Sequence, residues 1–430
     1  MSRKVDSVWN DIFNDYPIIE EINKNGFFEI SSTQIKKYYE PRLVTKFDYS
    51  QALPAVMKEY GICILPNTTG TYILGKFNIF KDFPKETEQV QAVEFPSWIE
   101  SIDPYNIQSE SIAITAATIT PMFADFFNDD ALIGTVSGRM GSGQFDFFVG
   151  DNKINVKSSQ IEIDGALESP DRFVLLEGKN ILHDDFIVRQ LYYPYRTFMD
   201  KINKPIHSVF ITYSNNVYRL MEYKFNDYLH YDSCEFVREK KYCIDNETIS
   251  FQDIIDVFKN TKINDDTYGA PFIQCDSFSK IINIIEMLEK NGSMTETDIV
   301  DLFGFTPRQG NYYFNGCRYI NLVQKDNAGN ITLTDRGKGL IHLTYKERQL
   351  KIVSYIIEHR LFNNLLKTYI DTKKTIERSY VKRMMKYYNV CGEGSIDRRS
   401  LTALSWFNWI LSLTQNSQFI RVCEKKSVKI

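Results

Sequence analysis

The residue types best able to do chemistry fall in two short stretches, Gln160-Ile-Glu-Ile-Asp164-Gly165 and Phe173-Val-Leu-Leu-Glu177-Gly178-Lys179. In the first, Ile161 and Ile163 alternate with polar residues, the period of a half-buried strand. Gly165 and the polar run to Pro170 read as a turn. The second has four consecutive apolar residues, as a central strand buried on both faces does. Side chains two apart on a strand point the same way, so Glu177 and Lys179 share a face and the Gly178 carbonyl lies uncrowded between them. Paired as a hairpin, the strands bring Asp164 beside Glu177. Two carboxylates, a carbonyl and an ammonium then converge on one spot, and that set suits phosphodiester hydrolysis. Hard oxygens hold Mg²⁺, with Mn²⁺ as a substitute, and the metal acidifies a bound water and offsets phosphate charge. A neighbouring lysine orients the water or the phosphate. The competing account is a solvated strand end with an ordinary Glu–Lys pair, since short acidic strings recur by chance.

Helical spacing flanks these strands on both sides. Residues 109–127 carry apolar positions at helical intervals, with Glu110 in the first turn. Residues 184–196 begin with Asp184 and Asp185 as capping residues and place Gln190 ahead of Tyr192 and Tyr193. With these in place, the pattern resembles the core of the PD-(D/E)XK nucleases, type II restriction endonucleases in particular. Ile163 stands where that family usually has a proline. The resemblance implies an α/β (α+β) core, a mixed central sheet flanked by helices. It implies Asp164, Glu177 and Gly178 as metal ligands, Lys179 as the group that positions water, and Glu110 in support. It also implies Mg²⁺-dependent, sequence-specific cleavage of double-stranded DNA. Reading a palindrome and cutting both strands calls for two-fold symmetry, so a homodimer is expected. The alternatives are a repair or structure-specific nuclease of the same superfamily, and a winged-helix DNA-binding regulator whose nuclease core is inert.

The net charge of −4 looks wrong for a DNA-binding protein until it is divided. Residues 346–430 hold 17 Lys and Arg against 7 Asp and Glu, a balance of +10, leaving 34 against 48, or −14, for residues 1–345. Such asymmetry points to a polyanion partner for one end, with a solvated basic face as the plain alternative. At 430 residues, 43% hydrophobic and 25% charged, the chain has the composition of a globular protein of two to four domains. Seven scattered cysteines without CxxC spacing fit reduced thiols better than a disulfide frame or a zinc site. No apolar stretch reaches the length of a membrane span and Met1 to Asp6 carries no signal-like run, so no membrane partner and a prokaryotic cytoplasmic location are expected.

Four regions are read along the chain. Residues 1–100 open with a helix near Val8–Tyr16; Glu40–Asp48 and the strand-turn-strand Ile64–Phe77 show no chemistry by residue type and read first as core packing, while their resemblance to the amino-terminal region of some restriction endonucleases implies contact with the DNA backbone. Residues 101–270 form the nuclease unit. Its Thr135–Phe147 segment is glycine-rich, and Arg139 there is a candidate phosphate contact. The segment lacks the ending of a phosphate-binding loop, so no nucleotide cofactor is expected. Residues 206–213 and 217–225 extend the sheet. Residues 277–345 read as three helices and a hairpin turning at Asn327–Gly329, a winged helix-turn-helix. Its third helix starts at Pro307 and offers Arg308, Gln309, Asn311 and Arg318 to DNA, with Gln190 of the nuclease unit as a further candidate DNA contact. Winged helices also serve as protein-binding modules. Residues 346–430 read as further helices, a second helix-turn-helix-like domain. In it Ser395 caps a helix bearing Arg398 and Arg399 in the first turn, and Trp406, Trp409 and Ile410 are packing anchors.

Overall fold

The chain, described by a computed structural model over residues 4–85, 89–414 and 419–420 (the last two by backbone alone), is a mixed α/β protein with a helical C-terminal region. Cys423 and the basic Arg421, Lys425, Lys426 and Lys429 of the expected tail lie outside the described residues.

A mixed sheet organises the first half. Its strands run in the spatial order Val90–Val93, Cys234–Ile244, Val217–Phe225, Ile206–Ser214, Phe173–Lys179, Gly165–Glu168 and Ile133–Gly134, with the two-residue strand Phe419–Ile420 added at the Val90 edge. Phe173–Lys179 is parallel to Ile206–Ser214, so the chain must cross over between them, and the helix Arg189–Met199 makes that crossing. The strand Phe173–Lys179 is buried throughout except at Lys179. Alternation divides its side chains between two cores. Phe173 and Leu175 join one with Leu191 and Phe210, on the side of the crossover helix. Val174 and Leu176 join the other with Ile114 and Val209, under the helix Glu110–Ile119. The first of these cores continues into the N-terminal region through Trp9, Leu65 and Ile79.

Several local expectations shift by a few residues. Gly165 is not the turn. Gln160–Ile163 pairs instead with Gly138–Gly141, the chain bends at Asp164, and Gly165–Glu168 forms the hairpin with Phe173–Leu176. The turn is Ser169–Arg172, closed by Ser169 N–H to the Arg172 carbonyl at 3.0 Å and by the Ser169 hydroxyl on Asp129. The expected single helix over 109–127 is two, Glu110–Ile119 and Met122–Phe127. Pro121 has no N–H to give to the first helix and divides them. Asp184 and Asp185 do not cap the crossover helix. Asp185 starts a short strand, Asp185–Ile187, paired with Phe80–Asp82, and its carboxylate accepts from Ser50 N–H at 2.8 Å.

The second half holds the expected three helices, Phe278–Asn291, Glu296–Phe303 and Pro307–Tyr319, and the hairpin Val323–Lys325 with Ile331–Leu333. Capping boxes open the second and third helices, Thr295 with Asp298 and Thr306 with Gln309. Five more helices follow, Asp335–Ile341, Tyr345–Ile357, Arg360–Thr372, Arg378–Tyr387 and Glu393–Ser412. Gly392, not Ser395, stands at the N-cap of the last, which moves Arg398 and Arg399 into its second turn. The expected divide at 345/346 runs through one core shared by Ile281, Ile320, Ile352, Phe362 and Trp406. Trp406 is fully buried and donates its indole N–H to the Cys275 carbonyl at 2.9 Å. No helix is long and apolar enough to cross a membrane among the described residues, and all six cysteines described are free.

Candidate active site

The bend at Asp164 and the end of Phe173–Lys179 meet, as expected of a hairpin between the two stretches, through the pairing of Gly165–Glu168. Asp164 immediately precedes Gly165, which pairs with Leu176 in register, and its Oδ2 accepts the Gly178 N–H at 2.9 Å. Glu177 is 6% exposed, and its Oε1 accepts from Lys179 Nζ and from Gln190 Nε2, both at 2.6 Å. Lys179 Nζ also reaches the Gly178 carbonyl at 3.2 Å. Gln190 arrives from the crossover helix and Glu110 from the helix on the other face, where Glu110 Oε1 accepts Asn180 N–H at 3.4 Å. Asp164, Glu177, Gly178, Lys179, Gln190 and Glu110 are thus joined by direct bonds or through neighbours on one strand end.

Two glycines set the approach of the Glu110 helix. Gly165 and Gly178 lie side by side on its face of the sheet, and Ile114 rests on both. A Cβ at Gly178 would stand 3.0 Å from Ile114 Cδ1, and one at Gly165 would stand 3.1 Å from Ile114 Cγ2. Glu110 sits one helical turn before Ile114, so this close seat fixes how far its carboxylate reaches toward the strand.

The charges are strongly coupled. Burial pushes Glu177 up to about 7, with the Lys179 ammonium opposing it and the negative charges of Asp164 and Asp48 adding to it. Burial alone would lower Lys179, but Glu177, Glu110 and Asp48 outweigh it and hold the ammonium protonated well above its ordinary value. The cluster is therefore rich in hard oxygen and short of positive charge even with Lys179 in place, and a divalent cation between Asp164 and Glu177 suits that condition. Among the described residues no three His, Cys, Asp or Glu side chains stand already gathered as a metal nest; the candidate set is two carboxylates and the Gly178 carbonyl.

Asp48 is the member of the site that the sequence did not reveal. It ends the stretch Glu40–Asp48, read there as core packing or, by resemblance, a DNA-backbone contact, and remote from the motif. Yet it contributes to the charge environment of both Glu177 and Lys179 and lines the same cavity as Lys179 and Glu110. Its Oδ1 is buried without a hydrogen-bond partner among the described residues. A carboxylate closing so unusual a stretch was the one available signal.

The candidate DNA contacts fare differently from one another. Arg308 and Arg398 are exposed and converge on the Tyr312 hydroxyl from two different helices. The Arg308 hydrogen bond, then the charges of both guanidiniums, lower the Tyr312 phenol. Arg398 also donates to Gln274 at 3.1 Å. Gln309 is exposed, but its Oε1 is taken up in the Thr306 capping box. Asn311 is exposed and accepts from Asn315. Arg318 is half-buried, stacked on Phe314 and bonded to the Tyr268 carbonyl at 2.8 Å, so it staples the preceding loop to its helix. Arg399 is half-buried beside Cys391, with its Nε buried and unpartnered among the described residues. Arg139 is exposed on Gly138–Gly141 and pairs with Glu162 at 3.2 Å.

Three family models match consecutive parts of the chain, and all three are described as domains of unknown function: DUF6996 over residues 6–74, DUF6997 over residues 75–243 and DUF7226 over residues 280–415. The second contains Glu110, Asp164, Glu177, Lys179 and Gln190, the first contains Asp48, and the third spans the two helical regions that share a core. No curated protein and no solved structure matches the chain.

Proposed function

We propose that the chain is a Mg²⁺-dependent endonuclease of the PD-(D/E)XK type, acting on double-stranded DNA as a type II restriction enzyme does. The observation that carries this reading is the meeting of Asp164, at a strand bend, with the Glu177–Lys179 pair on the neighbouring central strand. Glu110 and Gln190 arriving from helices on opposite faces support it. Asp164, Glu177 and the Gly178 carbonyl would hold the metal, which when bound supplies Lewis-acid stabilisation of phosphate charge and a more acidic water. Lys179 stays protonated, so its ammonium can hold the water or a phosphate oxygen and balance charge developing there. Gln190 keeps the Glu177 carboxylate turned toward Lys179. A purely structural salt bridge accounts for Glu177 and Lys179 alone; the nuclease reading also uses Asp164, whose Oδ2 accepts the Gly178 N–H beside them.

The third helix of the winged helix-turn-helix and the last helix of the chain supply the exposed guanidiniums of Arg308 and Arg398 for phosphates or base edges. Two copies of the chain, related by a two-fold axis, would cut both strands.

Incubation of supercoiled plasmid with the protein and Mg²⁺, followed by mapping of the ends, tests the assignment. Asp164→Ala should abolish cleavage while keeping DNA binding, and Lys179→Ala should lose at least about a hundredfold in rate. Wild-type turnover by the Asp164→Ala protein ends the nuclease reading.

A further inference from the structure

The first helix of the winged region, Phe278–Asn291, carries a polar residue in the middle of its apolar face. Asn283 stands between Ile281-Ile282 and Ile284-Ile285 and is completely buried. Its bonds account for the exception. Asn283 Oδ1 accepts the Leu182 N–H at 3.0 Å, and Asn283 Nδ2 donates to the Asn180 carbonyl at 2.8 Å. The same nitrogen lies 3.4 Å from Glu286 Oε2, so both of its hydrogens have an acceptor. Neither backbone partner belongs to the winged region. Asn180 and Leu182 follow Lys179 directly, where the chain leaves the candidate site.

The neighbouring turns of the helix repeat the pattern. Lys280, one turn before, pairs with Asp184 at 2.6 Å. Glu286, one turn after, accepts from the Ser214 hydroxyl at 2.7 Å and from the Asn215 N–H at 2.9 Å. Ser214 ends the strand in which Thr212 stands opposite Lys179. Positions 280, 283 and 286 lie on one side of the helix, and together they hold the ends of the two strands that meet at Lys179. Asn180 is gripped twice, by Glu110 at its N–H and by Asn283 at its carbonyl.

We propose that Asn283 is a positioning residue for the candidate site: by fixing the chain at Asn180 and Leu182 it sets where the Lys179 ammonium stands against Glu177. Keeping the helices of the winged region in register would explain a buried asparagine bonded within that region, whereas the two shortest bonds of Asn283 both leave it. The inference rests on the nuclease reading for its meaning and extends it, making the winged region part of the cutting unit as well as its reader. The third helix sits closely on the first, since a Cβ at Gly316 would stand 3.5 Å from Ile281 Cδ1. The helix bearing Arg308 and the strand end bearing Lys179 are thereby tied to one element.

The experiment compares the wild type, Asn283→Ala, Lys179→Ala and the double variant, all as full chains. Displacing a reacting group by about 1 Å costs about a hundredfold in rate. Asn283→Ala should therefore lose at least about tenfold in single-turnover plasmid cleavage with Mg²⁺, while its Kd for DNA in EDTA stays that of the wild type. In the Lys179→Ala background the same change should cost less than about twofold more, because the group it positions is already gone. Hydrogen exchange, resolved to single residues, reads the geometry without cleavage. In the wild type the Leu182 amide should exchange as slowly as those of Phe278–Asn291, although it lies in a loop. In Asn283→Ala it should exchange at least about tenfold faster, while the hairpin of residues 323–333 keeps its rate.

A wild-type Leu182 amide exchanging at the rate of an open loop overturns the proposal, and no variant has to fold for that result. A folded Asn283→Ala protein cutting at the wild-type rate overturns it too, as do equal losses in the two backgrounds, the mark of general damage. An active Asp164→Ala protein would remove the nuclease reading and leave exchange at Leu182 to decide whether Asn283 holds the strand end. Normal cleavage by Asn283→Ala beside an inactive Asp164→Ala removes the positioning role alone.

Discussion

Replacing Glu177 by glutamine removes one charge from the candidate site with almost no change in shape, and the consequence for stability depends on pH in a way that can be worked out. Burial holds the Glu177 carboxyl at about 7 in the folded protein against an ordinary 4.5. The fold therefore favours the neutral acid. The stability this contributes is complete below about pH 4.5 and is lost as pH rises through 7, where the buried group must ionise or the protein must unfold to let it. At about 1.4 kcal/mol per pH unit, the metal-free wild type should lose roughly 2–3 kcal/mol from this group between pH 5 and pH 8. The Glu177→Gln amide has no proton to lose, so its stability should not carry that slope. Other titrating groups are common to both proteins and cancel in the difference. Urea unfolding of both proteins at pH 5 and pH 8, in EDTA, should then show the variant gaining roughly 2–3 kcal/mol on the wild type at the higher pH, although it cannot cut DNA. A constant offset between the two proteins across that range would refute the account, because it would mean that Glu177 is ionised in the fold at little cost. Mg²⁺ added at pH 8 should restore much of the lost stability to the wild type and none to the variant.

Three further outcomes concern other parts of the molecule. Gly178→Ala puts a methyl 3.0 Å from Ile114 Cδ1 and should cost about 1–3 kcal/mol by overpacking. The added change Ile114→Val, which deletes that Cδ1, should recover most of it, as read by thermal unfolding. Arg308→Ala with Arg398→Ala should flatten the log–log salt dependence of DNA binding by about one unit for each phosphate that the protein ceases to neutralise. Arg318→Ala, which cuts the tie to the Tyr268 carbonyl, should lower stability and leave that slope unchanged. His359 is 4% exposed, donates from Nε2 to the Tyr319 carbonyl at 3.1 Å, and is pushed down to about 4 by burial. Its contribution is present above pH 6.5 and lost as pH falls toward 4, so in urea unfolding the wild type should lose roughly 2 kcal/mol more than His359→Leu between pH 7 and pH 4.5.

Much of this fold could be read from residue patterns, and the exceptions have identifiable causes. The central strand, the two strands after it and the helix-helix-helix-hairpin order were legible because their apolar periods are long and their caps are explicit, as at Thr295, Thr306 and Pro307. The meeting of Asp164 with the Glu177 strand followed from expecting the two stretches to pair as a hairpin, although the strand that forms that hairpin is Gly165–Glu168. The hairpin turn was misplaced because Gly165 looks like a turn residue, whereas its lack of a side chain serves the close seat of Ile114. Asp185 looks like a helix cap, but the strand partner that recruits it, Phe80–Asp82, is distant in sequence and invisible to local rules. The role of Asp48 was beyond reach for the same reason, since only the tertiary fold brings it to Lys179. Arg318 and Gln309 have the right chemistry for DNA, but local packing and capping claim them first, and propensity cannot rank those uses.

The bond between Trp406 and the Cys275 carbonyl has a consequence for the order in which the protein is made. These residues are 131 apart, and Trp406 fills the centre of the core built on Phe278, Tyr319 and Phe362. Helices of the winged region can pack on one another as they emerge from the ribosome, but Phe278 lacks its ring partners Trp406 and Trp409 until the last helix, Glu393–Ser412, follows them. At about 5–20 residues per second that interval is roughly 7–26 s. During it the nascent chain holds out Phe278 and Tyr319 without their final partner Trp406, a window in which holdase chaperones should find this chain and in which slowed translation of its last quarter should raise aggregation.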